Sequence, residues 1–254
     1  MARRFVFSGV KYHIIMDLPG RTALVTGASS GLGLAISRAL VRRGATVIGL
    51  ARRVPKLAEV RAELGASFVP VACDVTDEEE VAGVFEKLAP SHGTIDILVN
   101  NAGLGRFGEL DDLSLDDWDL MMNTNLRGVF LCTRAVLPGM KDLGARSGFG
   151  GHIVNVASVA ALLGNPRLGG YNATKFGLRG LSESLMKEVR SHGIKVTCIY
   201  PGSIETEFSD GAGVAGSANP MTAEDVASTV VHVVETPDNY LISEVVMRPL
   251  KPGG

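Results

Sequence analysis

Apolar residues along this chain fall into two kinds of segment. Short, nearly unbroken apolar runs read as strands buried on both faces, and longer stretches that mix apolar with charged positions read as helices. In order, the pattern predicts a strand at 22–26, a helix at 31–43, a strand at 46–50, a helix at 54–64 and a strand at 67–73. Asp77 then caps a helix over 78–88, whose first turn carries Glu78, Glu79 and Glu80, where the helix dipole favours acidic groups. A strand at 95–99, one long helix at 115–140, a strand at 152–157, a helix at 171–191 and a strand at 195–199 follow. A helix at 222–235 and a last strand at 241–247 complete the series.

Strands that alternate with helices indicate a parallel sheet covered on both faces, and right-handed crossovers make it doubly wound. The fold class expected is therefore α/β: a single Rossmann-type domain of about seven strands, with its site at the carboxyl ends of the strands. The 254 residues show no linker, repeat or low-complexity tract. Residues 16–254 are read as that domain and 1–15 as an extension, with initiation at Met16 as one explanation. The basic, then apolar, start resembles a signal peptide only faintly, lacking a long apolar region and a cleavage site, so export is not expected. Residues 207–220, rich in Gly, Ala and Ser, have no clear structure, and a lid is expected at about 204–220.

Composition narrows the class. A 46% hydrophobic content with 31 glycines suits a compact α/β enzyme, and 25 basic against 27 acidic residues give no footprint for nucleic acid or an anionic membrane. No apolar run is long enough to span a bilayer. Cys73, Cys132 and Cys198 form no CxxC pair and fit buried thiols in a reducing, cytoplasmic setting. The histidines have no metal-ligand spacing, so no metal is expected. Asp111, Asp112, Asp116, Asp117 and Asp119 read as a solvated loop and helix start, and Met121 and Met122 as core or subunit-contact residues.

The chemistry concentrates in three places. Gly27, Ser29, Ser30, Gly31, Leu32 and Gly33 lie between the first strand and first helix, where glycines permit a tight turn and let backbone approach a pyrophosphate at the helix N-terminus. At the end of the second strand, Arg52 and Arg53 stand where an NAD site would place a carboxylate, which favours the 2′-phosphate of NADP(H). Tyr171 and Lys175 lie one helical turn apart. A phenol titrates near pH 10 unaided, and a neighbouring ammonium is expected to lower that value toward the range acid–base chemistry needs. Alone, that spacing is as compatible with an ordinary exposed turn.

Together with Asn100-Asn101-Ala102-Gly103 after the fourth strand, Ser158 thirteen residues before Tyr171, Asn125, and Pro201-Gly202 with Thr206, these motifs resemble the short-chain dehydrogenase/reductase family over residues 18–250. The resemblance implies that Tyr171 is general acid in reduction and general base in oxidation. Lys175 lowers its pKa and binds the nicotinamide ribose, Ser158 binds the substrate oxygen, and Asn125 holds a water in a proton relay. It places Asp74 and Val75 against adenine, Asn101, Ala102 and Gly103 along the cofactor, and Pro201, Gly202, Ile204 and Thr206 at the nicotinamide end. It also implies a homotetramer or homodimer built on the 115–140 and 171–191 helices.

The chain lacks the Thr-Gly-Gln and Val-Asp-Gly-Gly tail of many members. It looks more like the NADP-dependent branch acting on small hydroxy acids and assorted carbonyl compounds than like an elongation reductase. Set against the family it resembles, the segment 142–151 is expected to be a few residues longer than usual, with no evident role. Arg167 is a candidate partner for a substrate carboxylate. The expected activity is NADP(H)-dependent interconversion of a carbonyl and a secondary alcohol on a small-molecule substrate. The alternatives are a non-catalytic NADP-binding regulator on the same scaffold and a lyase or epimerase. The first is disfavoured by the intact Asn125, Ser158, Tyr171 and Lys175, the second by the short C-terminal region.

Overall fold

The computed structural model of the protein describes residues 17–205 and 220–251. The extension 1–15, Thr206 and most of the expected lid lie outside the described residues. Seven parallel strands, β1 (Thr22–Thr26), β2 (Thr46–Ala51), β3 (Phe68–Ala72), β4 (Ile97–Asn100), β5 (Gly151–Val156), β6 (Ile194–Pro201) and β7 (Glu244–Met247), form one sheet in the order β3-β2-β1-β4-β5-β6-β7. The helices are α1 (Gly31–Arg42), α2 (Val54–Leu64), α3 (Glu78–His92), α4 (Leu115–Met122), α5 (Gly128–Ser147), α6 (Gly169–Val189) and α7 (Ala223–Val234). The order reverses between β1 and β4, which opens a crevice at their carboxyl ends.

The strands read as unbroken apolar runs because both faces are buried. Ala23 and Val25 of β1 face a core shared with Ile36 and Leu40 of α1 and Val230 and Val234 of α7. Leu24, between them, faces the opposite core with Val84 of α3, Leu131 of α5 and Leu185 of α6. Helix ends follow local chemistry. The Asp77 carboxylate accepts from the Glu79 and Glu80 N–H groups at 2.8 and 3.0 Å. Thr222 and Asp225 form a capping box that starts α7.

The main departure from the sequence reading is the long helix expected at 115–140. It is interrupted by a π-helical turn, Asn123–Arg127, and then runs on as α5 to Ser147, ending at left-handed Gly148. Residues 142–147 are thus the last turns of α5, and 148–150 lead into β5. No helix among the described residues is long and apolar enough to cross a membrane.

One buried polar pair sets an acid limit. His152 of β5 is fully buried, and its Nε2 lies 2.7 Å from Thr197 Oγ1 of β6. The Thr197 hydroxyl donates its proton to the Ile242 carbonyl at 2.6 Å, so the imidazole Nε2–H is the donor to Thr197 and Nδ1 carries no proton. Burial first, and the nearby Lys195 second, push the imidazole pKa down to about 3. The folded state therefore refuses a proton that the unfolded chain accepts below about 6.5. Stability should be full above that pH and fall by roughly 1.4 kcal/mol per unit as pH drops toward 3. Urea unfolding at pH 7 and pH 5 measures the slope, and His152→Gln, which keeps a donor for Thr197, should flatten it. An unchanged slope in that variant assigns the acid sensitivity elsewhere.

Candidate active site

The crevice holds a cleft of about 690 Å³ lined by residues from the ends of β1, β2, β4, β5 and β6 and from α6. The candidates from the sequence within the described residues line it, except Asn125, which is buried behind it, and Arg167, whose exposed side chain reaches Glu109 at 4.0 Å. Thr206 lies outside the described residues.

At one end, the turn after β1 requires glycine. Gly27 has φ +69°, and a methyl group on Gly33 would collide with the Gly27 carbonyl oxygen. That close packing seats the start of α1 directly beside the turn. Ser30 is the N-cap residue, yet its side chain makes no capping bond, so the first-turn N–H groups of α1 are left for a ligand. Instead, the Ser30 and Ser29 hydroxyls accept from the Arg53 guanidinium. Arg52 sits 3.6 Å from the Asp74 carboxylate. Burial raises the Asp74 pKa, but hydrogen bonds from Thr76 and the charge of Arg52 outweigh it and leave the carboxyl below its ordinary value. A glycine cradle, open helix N–H groups and two guanidiniums fit the phosphates of a dinucleotide.

Thr26 closes the floor of the cleft and was not singled out by the sequence reading. Its Oγ1 accepts from the Asn101 and Ala102 N–H groups, each at 2.9 Å, while the Asn101 side chain donates to the Thr26 carbonyl at 3.0 Å. These bonds clamp the ends of β1 and β4 together at the point where strand order reverses. A hydroxyl closing one strand and an amide closing its neighbour carry no spacing signal, because strand adjacency is invisible in sequence. Leu50 and Thr124 also line the cleft without having been named for it.

At the other end, β5 delivers Ser158 and α6 presents Tyr171 and Lys175. Ser158 opens a short 3-10 turn, its Oγ accepting from the Ala160 N–H at 3.1 Å. The Tyr171 phenol hydrogen bonds with Ser158, and its ring packs edge-on to Phe107 with centroids 5.6 Å apart. Lys175 Nζ lies 5.6 Å from the Tyr171 ring centroid and donates to the Val156 carbonyl at 3.1 Å. An ammonium has three protons, so this bond leaves donors for a ligand.

Two expectations change here. The first is that Lys175 lowers the Tyr171 pKa. Both groups are buried, and burial pushes the phenol up to about 12, opposed by the Ser158 hydrogen bond, while it lowers the ammonium to about 8. Desolvation of the phenol is the larger cause and sets the direction of its shift. The second concerns Asn125. Its Oδ1 accepts from the Leu104 N–H at 2.8 Å, and its Nδ2 donates to the Leu104 carbonyl at 2.8 Å and to Thr174 Oγ1 at 3.1 Å. Both amide protons are spent, so the side chain has no donor for a relay water.

Comparisons with known proteins agree with this geometry. A family model described as short chain dehydrogenase matches residues 21–213. Dehydrogenase/reductase SDR family member 11 of Bos taurus is 37% identical over 248 residues, covering 90% of this chain and 96% of its own. Among solved structures, the 3-ketoacyl-(acyl-carrier-protein) reductase of Brucella melitensis complexed with NADH superposes with a TM-score of 0.85 at 29% identity, over 91% of this chain and 98% of its own. The closed form of a serine dehydrogenase complexed with NADP+ does so with a TM-score of 0.82 at 33% identity, over 89% and 94%. With the sheet order, the glycine turn and the Ser158–Tyr171–Lys175 grouping in place, the chain belongs to the short-chain dehydrogenase/reductase family.

Proposed function

We propose that this protein is an NADP(H)-dependent oxidoreductase interconverting a carbonyl and a secondary alcohol. The observation that carries the reading is the hydrogen-bonded pair of Ser158 and Tyr171 hydroxyls beside buried Lys175, in the same cleft as the glycine turn. When bound, the nicotinamide supplies or accepts the hydride. The protein's part is positional and electrostatic. Gly27 to Gly33 and the N–H groups of α1 hold the pyrophosphate, Arg52 and Arg53 the 2′-phosphate, and Asp74 and Val75 flank the adenine. Asn101, Ala102 and Gly103 line the middle of the cleft, and Pro201, Gly202 and Ile204 meet the nicotinamide end.

Ser158 and Tyr171 converge on one point from which both can hydrogen bond a carbonyl oxygen. Tyr171 gives its proton to that oxygen in reduction and takes it back in oxidation. With its pKa near 8, Lys175 is an ammonium at neutral pH; its unspent donors orient the ribose hydroxyls, and its charge stabilises the phenolate as it forms. The Asn125 backbone passes a relay water toward Lys175.

We further propose a homodimer or homotetramer built on the α4–α5 and α6 helices, in a cytoplasmic setting. Phe130 of α5 and Phe176 of α6 are 47% and 44% exposed, a cost that burial against a second copy would remove. The described cysteines Cys73, Cys132 and Cys198 are buried free thiols, which suits a reducing compartment.

Tyr171→Phe keeps the ring against Phe107 and removes the proton; turnover in a carbonyl screen with NADPH should fall about 10²- to 10⁴-fold, with cofactor binding kept. Undiminished turnover sinks the mechanism. Arg52→Ala should raise the KM for NADPH by about tenfold or more while leaving that for NADH nearly unchanged. Equal effects on the two would show that Arg52 does not read the 2′-phosphate. Phe176→Glu should lower the mass seen by sedimentation, and an unaltered mass would place the subunit contact elsewhere.

A further inference from the structure

The segment after β4, from Leu104 to Gly108, forms no helix or strand, yet its backbone is tied to other elements at both ends and in the middle. Both backbone groups of Leu104 bond the Asn125 carboxamide at 2.8 Å. The Arg106 N–H donates to Met121 Sδ of α4 at 3.3 Å. The Gly108 N–H donates at 2.9 Å to the carbonyl of Arg167, the one described residue other than glycine with a positive φ, at 65°. Side chains disfavour that conformation, so the structure around Arg167 must hold it there. Gly105 is not among the glycines with a positive φ, so the backbone does not demand glycine at this position. Space does: a methyl group on Gly105 would collide with Cζ, Cε1 and Cε2 of Phe107.

The Phe107 ring thus lies folded over the Gly105 backbone, and from there it meets Tyr171 edge-on, with planes 78° and centroids 5.6 Å apart. Rings favour this arrangement because the positive edge of one meets the negative face of the other. Leu104, Leu113, Met121 and Ala160 pack with the same two rings. Tyr171 lines the cleft, and Phe107 is not among the described residues that do, so what Phe107 does for the site it does through Tyr171. Tyr171 stands in the first turn of α6, which starts at Gly169 without a side-chain cap. Its hydroxyl is the side-chain atom farthest from the helix, so a small swing of the ring moves that atom most. We propose that Phe107 is a positioning residue: seated on Gly105 in a loop tied to Asn125, Met121 and Arg167, its ring fixes where the Tyr171 hydroxyl points. The proposal rests on the oxidoreductase reading, in which that hydroxyl transfers the proton.

A double-mutant cycle tests it, read as single-turnover oxidation of NADPH by trifluoroacetophenone, an activated ketone, or by the fastest compound of the carbonyl screen. Phe107→Ala should slow that step by about 10- to 100-fold while the Kd for NADPH stays within about twofold. Gly105→Ala keeps the ring but occupies its seat, and should slow the step similarly. Added to Phe107→Ala, Gly105→Ala should change the rate by less than about twofold, because the ring it displaces is gone. Phe107→Leu, which fills much of the space without a ring, takes the place of Phe107→Ala if that variant does not fold. An undiminished rate without the ring, or a Gly105→Ala effect as large without the ring as with it, overturns the inference and leaves the oxidoreductase reading standing. So does a loss confined to NADPH binding or melting temperature, which would make Phe107 a packing residue only. Absence of turnover by the unaltered protein on any carbonyl or alcohol removes that reading and the inference together.

Discussion

One buried carboxamide holds the Ser158–Tyr171–Lys175 end of the cleft together. Asn125 bonds the loop after β4 through both backbone groups of Leu104, and bonds α6 through Thr174, the residue before Lys175. A buried amide left unpaired costs on the order of 1–3 kcal/mol per group, so the three elements must settle where all its bonds close. The π turn at Asn123–Arg127 is how the chain brings that side chain inward without ending the helix. Asn172 does the same from α6, donating to the Ala160 and Leu163 carbonyls at 2.6 and 2.9 Å and so fixing the Ser158 turn against the helix that carries Tyr171. Polar networks of this kind set geometry more than they add stability.

The price of that rigidity is burial of the reactive groups. A phenol near 12 and an ammonium near 8 are both displaced toward their neutral forms. Such displacement is what a site needs if charge is to appear on the phenol only during reaction: an ionised Tyr171 at rest would have no proton to give. Lys175 is a buried cation bonded to the Val156 carbonyl, and it interacts most strongly when a negative charge or a polar ligand arrives.

Much of the fold was legible because sheet burial and helix periodicity write different patterns. β1 and α2 have the bounds that the apolar pattern predicted, and other elements moved by a few residues at their ends. The broken helix was not legible. Asn125 was named through the family resemblance, but its bonds to Leu104 and Thr174, distant in sequence, were not. The same holds for Thr26, whose clamp on Asn101 and Ala102 depends on β1 lying next to β4. The direction of the Tyr171 shift was misjudged for a related reason: spacing places Lys175 a turn away, but it reports neither where Nζ points nor how dry the pocket is.

The two ends of the cleft differ in how they can be read at all. The dinucleotide end depends on backbone requirements: a left-handed Gly27, a Gly33 that can hold no methyl, a helix N-terminus left uncapped by Ser30. Few residues meet such requirements, so they mark the sequence. The Tyr171 end is lined by side chains such as Leu104, Leu168 and Ile204. Many residues can line a pocket equally well, so that end leaves no comparable mark in the sequence.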